Sequence, residues 1–191
     1  MQSSVSQSEF IHLGPANLRR DRVSNVQHEG KHLLSICIEI VTRCMLVALF
    51  LPFSALDKVL NFKQAVGQAS EAAANRGVAT VLIMAGLCIE TVMSVGILTG
   101  VADRLAALIL AGYCTVTAFL WKQFWKKPDF KLQGASLGRD TFGDFLKNLA
   151  LAGGFLMLTF GSTAGGVRAF FEAPLASSHP YAMPPDTRLP P

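Results

Sequence analysis

Four long apolar stretches alternate with polar segments along the chain. The first runs from Leu33 to about Leu56 and is interrupted by Glu39 and Arg43; the second, Val78 to Gly100, holds one charge, Glu90. The third, Leu105 to about Trp121, has none, and extends to Trp125 if its aromatic end is counted. The fourth, Phe142 to about Gly165, carries Asp144 and Lys147 in its opening turns. A bilayer core of about 30 Å is crossed by ~20 helical residues, and each stretch meets or approaches that length. A helix of a soluble bundle would show a polar stripe every third or fourth residue. Residues 78–89 and 105–120 show no charge on any face. The pattern predicts an all-α integral membrane four-helix bundle with both termini on the same side.

The polar segments complete this organisation. Residues 1–32 read as a polar N-terminal arm with no secretory signal pattern, and 33–166 as the four-helix domain. Residues 167–191 read as a Pro-rich disordered tail. Residues 57–77 are expected to be a polar, partly helical loop. The short 101–104 segment makes a tight turn, so the second and third spans are antiparallel neighbours. The 122–141 loop is basic and aromatic and is broken by Pro128.

Composition supports the membrane reading. Only 16% of the 191 residues are charged, against about 25% in ordinary globular chains. The net charge of +4 comes from Lys and Arg placed beside apolar segments, where anionic head groups attract them. Nucleic-acid binders instead cluster them on a soluble face, so no nucleic-acid partner is expected. Orientation is not legible: seven cations flank one side and nine the other, where the positive-inside rule needs a clear bias.

Charges inside hydrocarbon are costly and are normally paired or turned inward. Counting at 1.5 Å per residue, Glu90 lies about 18 Å and Arg43 about 20 Å from the long-loop face. Glu39 precedes Arg43 by one turn. The expectation is an intramembrane cluster of Glu39, Arg43 and Glu90, acting either as a register-setting ion pair or as a proton or ligand site. A second group gathers at the long-loop interface: Lys58, Trp121, Lys122, Trp125, Lys147 and Asn148. It reads either as an aromatic belt with snorkelling lysines or as a site for a quinone or an anionic lipid head group.

Other chemistry is sparse. Cys37, Cys44, Cys88 and Cys114 show no metal spacing and read as small buried hydrophobes. His12, His28, His32 and His179 all lie outside the apolar stretches, so no haem held by histidines in the bundle and no metal site are expected. No phosphate-binding, dinucleotide-binding or hydrolase motif is present.

Several segments together resemble the DoxX family of small membrane proteins. They are Arg43…Phe50-x-x-Phe53-x-x-x-Asp57-Lys58, AGLCIETVMSVGILTG (85–100), DRLAALIL (103–110), FLWKQFW (119–125) and FLKNLALAGGFLML (145–158). The resemblance covers about residues 36–160. Two departures stand out: Trp121-Lys122 replaces a histidine that many relatives carry near the end of the third helix, and Ser54 replaces a frequent glycine. The resemblance implies a multi-pass protein of the bacterial cytoplasmic (inner) membrane. Some members are linked to sulfur-compound:quinone oxidoreductases or to oxidative-stress complexes.

Three functional readings follow. The first is a membrane subunit or anchor of a redox complex, enzymatic only as part of a quinone-linked oxidoreductase. It would hold a quinone at the interface group and dock a soluble oxidoreductase on the 122–141 loop. The second is a small-solute transporter or exporter, and the third a structural scaffold. Lipid is the certain partner on this reading; a second copy of the chain is left open.

Overall fold

The computed structural model describes residues 15–70, 73 and 75–182. The outer parts of the expected arm and tail, 1–14 and 183–191, lie outside the described residues. Seven α-helices and no strands are present among the described residues: α1 (Pro15–Val47), α2 (Ala55–Leu60), α3 (Phe62–Ser70), α4 (Arg76–Thr99), α5 (Asp103–Trp121), α6 (Leu137–Phe160) and α7 (Ala164–Glu172). The chain divides into two compact units, residues 1–39 with 181–191, and Ile40–Pro180. The first is helical from Pro15 onward, where a polar arm was expected. All the networks and cavities described below belong to the second.

Pro52 shapes the first apolar rod. It lacks the N–H that would bond one turn back, and the chain widens into a π-helical stretch over Leu49–Ser54 before α2 resumes. Arg43, Val47, Phe50, Ser54 and Lys58 follow at spacings of three and four residues, so they share one face. Arg43, Val47 and Phe50 are buried, and Ser54 and Lys58 are partly buried.

α4 begins where the Asn75 side chain accepts from the Val78 N–H at 2.8 Å, and it ends at Gly100, whose φ of 76° suits a residue without Cβ. Its buried line is Ala79, Gly86, Glu90, Ser94 and Ile97. α5 turns back at once and packs against α4 on one side and α6 on the other. Its small buried residues, Ala106, Ala107, Ala111 and Ala118, allow that close approach.

Burial is inverted relative to a water-soluble bundle. Arg43, Glu90 and Asp103 are at most 2% exposed, whereas Met45, Phe53 and Val81 are 67–72% exposed. Outward apolar side chains need lipid, not water, around them. Three helical runs are long and apolar enough to cross a membrane: Glu29–Leu60, Arg76–Thr99 and Asp103–Lys126. A fourth is reached only if Leu137–Phe160 and Gly165–Glu172, bent by 74°, count as one span.

Several expected boundaries shift. The 57–77 loop is largely the helices α2 and α3, the latter packing Val66 and Ala69 on Ala79. α6 starts at Leu137, before Phe142, because Ser136 caps it by accepting from the Arg139 N–H at 3.1 Å. Asp129 adds acceptors for the N–H groups of Leu137 (2.6 Å) and Gly138 (3.0 Å), so this loop is tied down. The tail differs most. Residues 164–172 are helical, and the following segment is bonded into the bundle through Ser178. Proline content argued for disorder, but partners distant in sequence supply the order.

Candidate functional site

The first polar network joins α2, α4 and α5 at the long-loop end. Lys58 Nζ donates to Glu90 Oε1 and, at 2.9 Å, to Ser54 Oγ one turn earlier. Tyr113 donates its hydroxyl to the same Glu90 oxygen at 2.7 Å. Lys58 is 15% exposed and Glu90 only 2%, so the lysine is the accessible partner and the carboxylate lies behind it. Glu90 Oε2 and the Ser94 hydroxyl are buried and have no hydrogen-bond partner among the described residues.

Gly86 makes room for this arrangement. A Cβ placed there would stand 3.0 Å from the Tyr113 hydroxyl oxygen. We expect Gly86→Val to push the hydroxyl off Glu90 and to cost about 1–3 kcal/mol, the usual range for overpacking. Equilibrium unfolding in detergent reads this directly. Unchanged stability would mean that the tyrosine moves without loss.

Two cavities open around the network. The larger, about 580 Å³, has apolar walls that include Leu82, Ile83, Ile89 and Leu120, and a polar floor of Lys58, Tyr113 and Thr117. Trp121, Lys122 and Asp57 also line it. The smaller, about 360 Å³, is lined by Glu90, Lys122, Asp144, Lys147 and Asn148 among others. Asp144 accepts from both Lys122 and Lys147 at 3.1 Å, in a well-exposed cluster of modest energetic weight.

The second network lies at the opposite end of α4. Arg43, fully buried, is 2.8 Å from Asp103 Oδ2 and donates to the Ile97 carbonyl at 2.7 Å. It also donates to Ser178 Oγ at 2.9 Å. Asp103 accepts from the backbone N–H groups of Arg104 and Ser178, each at 3.0 Å, and from the Ser178 hydroxyl. Arg104 ties the same end to α6 and α7 through the carbonyls of Thr159 and Gly166, both at 2.9 Å.

The structure thus divides the charge cluster expected from depth. Arg43 is salt-bridged to Asp103, and Glu90 to Lys58, because depth along a helix specifies neither its rotation nor the partner it faces. Glu39 stands one turn before Arg43, partly buried, within the unit of residues 1–39. Of the interface group, Lys58, Trp121 and Lys122 line the larger cavity, and Lys122, Lys147 and Asn148 the smaller. Trp125 lines neither. It packs among Phe119, Phe124 and Phe145, because the short 3₁₀ turn at 124–126 folds it back onto α5 and α6. The cysteines also differ from expectation, since only Cys114 is buried.

Asp103, Tyr113 and Ser178 are not singled out by the sequence, and Ser54 and Asp144 stand out there only as a departure from the family pattern and as a charge opening the fourth stretch. Tyr113 had a usable signal, a hydroxyl in an apolar helix at a depth similar to that of Glu90. Asp103 had none, because it opens a helix beside a turn, where an acid is ordinarily a solvated first-turn residue.

A helical membrane protein with an apolar outer surface and buried ion pairs is the class these features define. Residues 39–123 match the model of the DoxX family. The matched segment contains Arg43, Lys58, Glu90, Asp103 and Tyr113, and ends before α6. No curated protein and no solved structure matches the chain.

Proposed function

We propose that this protein is a member of the DoxX family and the membrane subunit of a quinone-linked redox complex. It spans a bacterial cytoplasmic membrane four times, with both termini on one side. The larger cavity receives the quinone ring, and the 122–141 loop docks the soluble oxidoreductase. The observation that carries this reading is the make-up of that cavity: apolar walls for a ring and tail, with Lys58 and the Tyr113 hydroxyl at the floor. Such a pocket, mostly apolar with a few convergent polar groups, is the usual form of a small-molecule site. Lys58 is the side chain positioned to donate to a ring carbonyl. Lys122 lines the same cavity, Trp121 offers a flat face to the ring, and Lys147 and Asn148 line the smaller cavity beside it.

The two tryptophans provide the test. A short-chain benzoquinone is expected to quench the emission of Trp125→Phe, which retains Trp121, and to leave Trp121→Phe nearly unquenched. Lys58→Met weakens that binding by at least roughly tenfold, the equivalent of about 1.4 kcal/mol. Native mass spectrometry of the purified protein should also find near-stoichiometric quinone. Protein free of quinone and unquenched in either variant would overturn the proposal.

A further inference from the structure

α7 leaves the end of α6 at a bend of 74°. A Cβ placed at Gly166 would stand 1.6 Å from the Phe160 carbonyl oxygen, so this tight departure depends on a residue without a side chain. α6 has 24 residues, about 36 Å of rise, which already matches a bilayer core of about 30 Å. Its last turn is level with the first turn of α5, because Arg104 donates to the carbonyls of Thr159 and Gly166, both at 2.9 Å. α7 therefore starts at a boundary of the spanning region. Even with a span tilt of about 20°, a 74° bend keeps α7 within roughly 40° of the membrane plane.

The surface of α7 divides into three. Phe170 is buried, with its ring centroid 5.4 Å from that of Phe160 and 5.9 Å from the Arg104 guanidinium carbon. Val167 and Phe171, one turn apart, form an exposed apolar face, and Phe171 is 73% exposed. Leu175, just beyond the helix, is exposed as well. Arg168 and Glu172, also one turn apart, form a charged face about 100° round the helix and pair at 2.7 Å. Water around α7 would leave the apolar face uncovered, whereas hydrocarbon around it would charge the full cost of burying the ion pair. A water–lipid boundary satisfies both faces at once.

We propose that α7 is an in-plane membrane anchor. Val167 and Phe171 sit among the upper acyl chains, Arg168 and Glu172 face the head groups and water, and Phe170 fixes the helix to the bundle. The partner is the lipid boundary itself and not an anionic head group, because Arg168 and Glu172 balance each other's charge. The anchor also orders the tail. The chain leaving it returns at once over the end of the bundle, where the Ser178 N–H and hydroxyl donate to Asp103 and Pro180 lies against Gly100. Lipid contact at α7 thus holds the strap of residues 173–180 over the buried Arg43–Asp103 pair. The proposal needs the membrane but not the quinone, since no residue of α7 lines either cavity.

The full-length protein in lipid nanodiscs tests it in two ways. With Trp121→Phe and Trp125→Phe as background, Phe171→Trp supplies a single emitter on the apolar face. Its emission should be quenched most by lipids brominated near the top of the acyl chain, as for a helix seated about 5–10 Å into the boundary, and equally in zwitterionic and anionic bilayers. Strongest quenching from bromine at the chain end would make α7 part of a broken span, and no quenching from either lipid would place it in water; both overturn the anchor. Hydrogen exchange supplies the second reading. Phe171→Glu should speed exchange of the 173–180 amides at least roughly tenfold, the effect of losing one buried aromatic side chain, while α4 and α5 stay protected. Exchange as slow as in wild type overturns the proposal, and this reading decides alone if the single-tryptophan variant does not fold.

Discussion

Removing either partner of the Arg43–Asp103 pair alone is expected to cost about 3–5 kcal/mol of stability, because an uncompensated charge is then left buried. Asp103→Leu takes from the guanidinium its buried carboxylate partner and leaves the neutral acceptors at the Ile97 carbonyl and Ser178 in place. Arg43→Met leaves the carboxylate with the N–H groups of Arg104 and Ser178 and the Ser178 hydroxyl. The double variant Arg43→Met/Asp103→Leu should recover most of either loss, since apolar groups of similar size avoid the desolvation penalty altogether. Unfolding titrations of the three variants in one detergent decide it. If the double variant loses the sum of the singles, the pair does not act as a unit.

The second large effect concerns Lys58. Lys58→Met leaves the Glu90 carboxylate with the Tyr113 hydroxyl as its one remaining donor described above, and a loss of at least about 3 kcal/mol is expected. Adding Glu90→Gln to Lys58→Met should restore stability, giving a coupling energy of roughly 2 kcal/mol or more in a double-mutant cycle. Quinone binding should not return with it, because the cavity floor still lacks its ammonium group. Lys147→Met is the contrast. That side chain is 75% exposed, and surface ion pairs are worth about 0–1 kcal/mol. A Lys58→Met protein as stable as Lys147→Met would show that the Glu90 network is not what holds α2 to α4.

Part of this architecture is readable without coordinates. The charge-free runs 78–89 and 105–120 cannot face water on any side, so their length and composition identify candidate spans. The 101–104 turn makes α4 and α5 antiparallel, and the structure places the connection at 100–102 between them. That Arg43 and Glu90 need partners also follows from the sequence, because charge in an apolar run is costly. Which partners they have does not follow. Depth along a helix is a one-dimensional coordinate, whereas a salt bridge also needs the rotation of both helices, which here depends on the wide turn at Pro52 and on the alanine contacts of α5.

Asp103 and Ser178 mark the limit most clearly. Seventy-five residues apart, each has a bland local context: an acid in the first turn of a helix, and a serine in a proline-rich tail. Only the return of the chain after α7 brings Ser178 onto Asp103 and closes the end of the bundle over Arg43. The sequence by itself determined that the long apolar stretches are helical, which of them are apolar all round, and that the charges inside them must be compensated, because these depend on local composition and on the cost of burial. The tertiary structure alone decided the two pairings, the cavity floor of Lys58 and Tyr113, and the order of the tail, because each depends on the angle at which distant segments meet.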